Sequence, residues 1–217
     1  GKPLLGKGTT AEELASRNEV FGYADRFDEK YDLVRTLRKG KWEYVRNYQG
    51  FYPDGLQNNY RYRMLAFSEW RELYKAGELN AAQRQFFEPR NAEQLFDLSK
   101  DPHEVNDLSE NPVFRSILLE MRARLTAKVK AIHDLSFYPE SHMVSKALGD
   151  GDAYGKKHAQ EIADLVDVAD LALLPFSKAR KSLGIAMQSK NPWVRYWACI
   201  TSSVHGEVAK PLASEAK

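Results

Sequence analysis

The apolar residues change period along the chain. Val20, Phe21 and Tyr23 begin one short run, Val34 and Leu37 lie in a second, and Trp42, Tyr44 and Val45 lie in a third, with Lys39-Gly40 as a turn. Short β-prone runs joined by a Gly turn predict an antiparallel meander. Thr10 followed by Glu13 is a capping-box pattern and predicts a helix over about 11–17 ahead of it. Residues 49–66 mix Gly, Pro, Asn and Tyr without a period and predict an irregular excursion. Ser68 is expected to cap a helix ending near Lys75 and Gly77, and Asn80 a shorter one before Pro89. QLFDL (94–98) reads as one more strand, closed by an Asp101-Pro102 turn. Phe114, Leu118, Met121, Leu125, Val129 and Ile132 recur at three and four, so residues 112–133 predict one long amphipathic helix. Its stripe needs a sheet to cover, and residues 1–140 therefore read as an α+β unit, a small antiparallel sheet packed by a long helix.

Beyond Pro139 strand signals stop. Helices are expected at about 156–173, 176–188 and 192–204, punctuated by Pro175 and Asn191-Pro192. Leu173, Ile185, Trp193, Trp197 and Ile200 are their expected shared core, with Trp197 the largest buried contributor. Consecutive short helices, each with an apolar stripe, predict the start of an α-solenoid, which about three helices are too few to complete. The expected division is 1–142 for the sheet unit and 143–217 for an all-α helical-repeat segment.

Composition narrows the function classes. The 217 residues are 43% hydrophobic and 29% charged, within the range of a chain that buries a core. A formal charge of +2 is too balanced for the broad basic surface of a nucleic-acid binder. No apolar run approaches the roughly 20 residues of a membrane span. GKPLLGK at the start has neither initiator Met nor the apolar stretch of a signal peptide and reads like the middle of a longer chain. One cysteine, Cys199, excludes an intrachain disulfide and a multi-cysteine zinc site.

Five stretches, in this order, resemble the C-terminal part of a formylglycine-dependent sulfatase of the alkaline-phosphatase superfamily. GKPLL (1–5) is similar to the segment closing that family's catalytic domain. DRFDE (25–29), with Asp32, Arg35 and Arg38, resembles its RDRxDExxDxxRxxR run, and WEYVRNY (42–48) its YKYIRNY strand. EQLFDLSKDPHEVNDLSENP (93–112) is close to EELYDLxxDPxExxNLA, the most specific of the five, and DLSFYPES (134–141) resembles DLGFLPE. NPWVRYWACITSSVHG (191–206) looks like a HEAT-type repeat helix, and some such sulfatases continue into these repeats.

The resemblance implies a sulfatase acting on a sulfated carbohydrate, periplasmic or extracellular, whose catalytic domain lies upstream and supplies both the formylglycine and a calcium ion. It implies no catalytic residue and no metal ligand here. Cys199 is followed by Ile-Thr-Ser and lacks the family's C-x-P/A-x-R context, so it reads as a small buried helix residue. The resemblance places Arg26, Asp28 and Glu29 near the active-site mouth as substrate-binding groups, the Arg through a bidentate fork and the acids as acceptors. Cross-strand pairs of Asp25 or Asp32 with Arg35 or Arg38 are the competing use of the same charges. Asp150, Asp152, Gly155 and Glu161 mimic part of an EF-hand loop but read better as a capped turn. The expected partner of the sheet unit is the upstream catalytic domain, and of the helical repeats a protein; the rival function is a non-catalytic interaction module built on those repeats.

Overall fold

A computed structural model describes Gly6, residues 9–27 and residues 29–214. Helix α1 (Ala11–Ser16) is capped by the Thr10 side chain, which accepts from the Glu13 amide. Strands β1 (Glu19–Phe27), β2 (Lys30–Lys39), β3 (Trp42–Asn47) and β4 (Glu93–Asp97) form one antiparallel sheet in that order. The β2–β3 register pairs Leu37 with Tyr44 and Lys39 with Trp42, and Gly40 makes the intervening turn at φ +60°, a conformation that favours glycine. A register shift between Ala24 and Arg26 bends β1 as it enters the β1–β2 turn.

Strand alternation gives the sheet two unlike faces. Leu33, Leu37, Tyr44 and Leu95 are buried on one face against Leu118, Met121, Leu125 and Val129 of α4 (Arg115–Ala131). Each helix side chain so buried contributes on the order of 1.5–3 kcal/mol, an upper figure because unfolded chains are already partly compact. The other face carries Asp32, Val34, Thr36, Val45, Asn47, Gln94 and Phe96 and is covered at one end by the 49–92 excursion, which holds α2 (Leu65–Ala76) and α3 (Ala81–Arg84).

The helical part comprises a single turn α5 (Glu140–His142), then α6 (Gly151–Lys157), α7 (Ala159–Asp170), α8 (Phe176–Met187) and α9 (Pro192–His205). Ile162, Leu165, Val166 and Ala169 of α7 and Trp197 of α9 join the same buried cluster as the sheet and α4. The Trp197 indole donates to the Phe137 carbonyl at 2.7 Å. Arg46 on β3 is 2% exposed and reaches Asp170 at 3.1 Å and the carbonyls of Ala169 and Ala92 at 2.8 and 2.9 Å. A second, smaller cluster joins Ala179, Leu183 and Met187 of α8 to Ala198 and Leu212.

Several local expectations are corrected. Ser68 lies inside α2 instead of capping it, and its hydroxyl donates to the Tyr62 carbonyl at 2.9 Å. The helix expected over 156–173 is two, with a break at His158, because Asp150 caps a separate first helix through the Ala153 amide. Ile185 is 65% exposed rather than in the core, since Ala179, Leu183, Ala186 and Met187 already take up the buried stripe of α8. Cys199 is exposed, because the buried side of α9 is set by Trp197, Ala198 and Thr201.

Candidate functional site

The β1–β2 hairpin distributes its charges by strand parity. Asp25 and Arg35 point toward α4, where Arg35 forms a two-point ion pair with Asp134 at 2.6 and 3.0 Å and a third contact with Asp25 at 2.7 Å. Burial alone would lower the Arg35 guanidinium, but its bonds to Asp134 outweigh that and raise it above the ordinary arginine range. This pairing is one of the cross-strand alternatives read from the sequence; Asp32 pairs elsewhere.

Lys30 and Asp32 point to the opposite face. There Lys30 Nζ meets Asp32 at 3.1 Å and Asp54 at 3.0 Å, and Arg90 meets Asp32 at 2.7 Å and Asp54 at 3.5 Å. Arg90 also donates to the Tyr52 carbonyl at 3.0 Å and to Asn47 Oδ1 at 3.3 Å. Asp32 Oδ1 is buried with no hydrogen-bond partner among the described residues. Arg61 donates to the Asp54 carbonyl and sits over the rings of Phe67 and Phe86, 5.3 and 5.0 Å from their centroids. These groups stand at one end of a groove of about 680 Å³ on the open sheet face, floored by Val34, Val45 and Phe96.

Arg26 lines this groove and pairs at the surface with Glu140 of α5. Glu29 is exposed in the turn and accepts from the Asn59 amide at 2.9 Å, so two of the three expected substrate groups flank the same end of the sheet. Asp28 lies outside the described residues. Asp54, Arg61 and Arg90 are additions that sequence reading missed. They lie in the aperiodic excursion, Arg90 being 58 residues from the Asp32 it binds, and no local spacing signals a contact at that range.

A larger apolar trough of about 1100 Å³ lies along α8, lined by Val168, Leu171, Ile185, Val194 and Leu212. Asp167, Arg180 and Lys181 also line it, Asp167 pairing with Lys130 at 2.5 Å, but its wall is mainly apolar. Near it, His205 is held below the usual histidine range by burial, which a backbone hydrogen bond to Leu171 only partly offsets. Asp150, Asp152, Gly155 and Glu161 form no ion site: Asp150 is a helix cap, Asp152 pairs with Lys156 at 2.5 Å, and Glu161 binds the Tyr138 hydroxyl and the Asn191 amide. Among the described residues no group of three or more His, Cys, Asp or Glu side chains is arranged to hold a metal ion. No described helix is long and apolar enough to cross a membrane.

No protein-family model matches the chain. Over 150 residues it is 35% identical to the ulvan-active sulfatase of Formosa agariphila, a match covering 67% of this chain and 24% of that protein. The chain thus spans about a quarter of the length of this curated relative. The chain therefore includes a sulfatase-related region.

Proposed function

We propose that this chain is the C-terminal part of a formylglycine-dependent sulfatase of the alkaline-phosphatase superfamily, and that the whole enzyme hydrolyses sulfate esters of a carbohydrate. The observation that carries this is the 35% identity over 150 residues to a sulfatase, in a chain whose own stretches resemble that family in order. Arylsulfatase-like chemistry would be performed by a catalytic domain upstream of Gly1. A formylglycine there would supply a nucleophilic oxygen and a calcium ion would stabilise charge on the sulfate. The residues described here fit neither group: Cys199 lacks the required context, and no carboxylate cluster matches an ion. No step is therefore assigned to this chain's own side chains. Its role is to dock on the catalytic domain and present Arg26, Asp28 and Glu29 to substrate, while 143–217 begins HEAT-like repeats. The enzyme works in the periplasm or outside the cell, where a polysaccharide is met.

The test is made on the longer protein. Arg26→Gln, Asp28→Asn and Glu29→Gln should each lower kcat/KM on the polysaccharide, ulvan being the first to try because the relative acts on it, while leaving a small aryl sulfate nearly unchanged. Losing one hydrogen bond worth about 0.5–1.5 kcal/mol corresponds to roughly a 2- to 13-fold loss. Equal losses on both substrates would remove the substrate role. A second reading, a protein-interaction module, is favoured by the α8 trough and the exposed Ile185 beside it. That reading is upheld if the longer protein releases no sulfate from either substrate.

A further inference from the structure

The groove on the open sheet face has a lining that goes beyond a positively charged patch. Its cations are Arg26, Lys30, Arg61 and Arg90; its carboxylates are Asp32, Asp54 and Glu104, and Glu140 neutralises Arg26 from outside. Three of these cations thus have a carboxylate partner, while Glu104 and His103 complete the polar lining. Lys30 and Arg90 are held by Asp32 and Asp54, and Arg61 by a carbonyl and two aromatic rings. An incoming anion would have to compete with Asp32, buried against Lys30 and Arg90, and with the half-exposed Asp54 and Glu140 for cations they already hold.

What remains on offer is different. Val34, Val45 and Phe96 give an apolar floor, Phe86, stacked on Trp70 at 4.4 Å and faced by Arg61, closes one side, and Thr36, Asn47, Gln85 and Gln94 place neutral polar groups around them. The Asn47 amide is fixed by bonds to the Asn91 carbonyl and to Gln94 Oε1, at 2.9 and 2.8 Å, so the polar edge is preorganised. A volume of about 680 Å³ falls inside the span of small-molecule sites, about 300–1,000 Å³. Apolar floor, amide edge and cations already held within the fold match a pyranose ring, which has C–H faces and a rim of hydroxyls but no charge.

From this we infer that the groove is a subsite for an uncharged saccharide unit. Because Arg26 belongs to both the groove lining and the hairpin, such a unit would be a neighbour of the sulfated residue on the same polymer. Only that last link rests on the sulfatase reading; the binding itself does not.

The 217-residue chain is titrated with xylobiose and cellobiose as neutral probes, and with glucose 6-sulfate and glucuronic acid as charged ones, following backbone amide shifts. A neutral disaccharide should move Val45, Asn47, Phe86 and Gln94 saturably, with an affinity that changes less than about twofold between 50 and 500 mM salt, since no counterions are released. Ala82→Trp, at an exposed position on the groove wall, should weaken binding at least fivefold, and Gln85→Ala, also exposed, should weaken it less. Absence of saturable shifts, shifts elsewhere on the chain, or insensitivity to both variants would overturn the proposal. So would tighter, salt-sensitive binding of the charged probes. The two readings fail separately: saccharide binding without sulfate release by the longer protein keeps the groove and removes the enzyme, and sulfate release without binding overturns the groove alone.

Discussion

Trp197→Ala should be among the most damaging single changes in the helical part, and its size follows from what the ring touches. Trp197 is 2% exposed and is the largest of the fully buried side chains. Its ring lies 5.0 Å from Phe137 and 5.9 Å from Tyr48, centroid to centroid, so it bridges the helices to the sheet unit. Removing such a ring costs about 3–5 kcal/mol through lost transfer energy and a cavity. The indole also satisfies the buried Phe137 carbonyl, and orphaning an acceptor adds about 1–3 kcal/mol. The sum, roughly 4–8 kcal/mol, rivals the whole stability of an ordinary domain. Trp197→Phe keeps one six-membered ring and loses the bond, so it should cost less than the alanine variant but at least the roughly 1–3 kcal/mol of the orphaned acceptor.

Urea unfolding followed by far-UV circular dichroism and by tyrosine fluorescence measures both variants. Wild type should unfold in one transition by both probes, because one buried cluster runs from Leu33 through α4 and α7 to Trp197. The alanine variant should shift the midpoint strongly or split the transition into helical and sheet phases. A Trp197→Ala cost below about 1 kcal/mol with a single transition would refute the bridging role.

Arg46→Met should cost about 3–5 kcal/mol by the same urea assay, because Asp170 and the carbonyls of Asn47, Ala92 and Ala169 each lose a donor while the methionine fills the space; a neutral outcome would mean that the carbonyls find water. Stability should also fall as pH drops from 7 toward 5. Burial depresses the His205 imidazole, so below about 6.5 the unfolded chain takes up a proton that the folded chain refuses. The stability is therefore whole above the unfolded pKa and lost as pH falls through the folded one, and His205→Gln should flatten that slope. An unchanged slope would assign the acid sensitivity to other groups.

Much of the architecture was legible because it is written in local periods. Thr10 and Asn80 cap the helices they were expected to cap, Gly77 ends α2 in the left-handed conformation at φ +75°, and Leu118, Met121, Leu125 and Val129 form the buried stripe of α4. Errors arose where two arrangements compete for one residue type. Ser68 had a helix-capping chemistry that the preceding turn claimed instead, and Ile185 fitted an apolar stripe that four other residues on α8 already filled. The groove itself was legible only in part. Arg26 comes from a contiguous charged run, but the Asp54, Arg61 and Arg90 that share its groove depend on how an aperiodic loop folds back across the sheet, which no spacing encodes.

The heavy charge of the β1–β2 hairpin follows from the same period of two that makes its strands. On β2, Tyr31, Leu33, Arg35 and Leu37 face α4, so the one cation among them is buried and must be satisfied within the fold, as Asp25 and Asp134 do. Lys30 and Asp32 face the other way, and shifting the register by one residue would exchange the two sets, burying Asp32 against α4 and turning Leu33 and Leu37 to the groove. The charges are thus part of what fixes the register as well as what the open face presents. Because Arg35 holds the far side of the strand to Asp134, the end of the groove at Lys30 and Asp32 is tied through the backbone to the turn that follows α4. A site on a strand pinned from behind in this way keeps its geometry when ligand arrives, which is the condition a shallow saccharide subsite needs to bind at all.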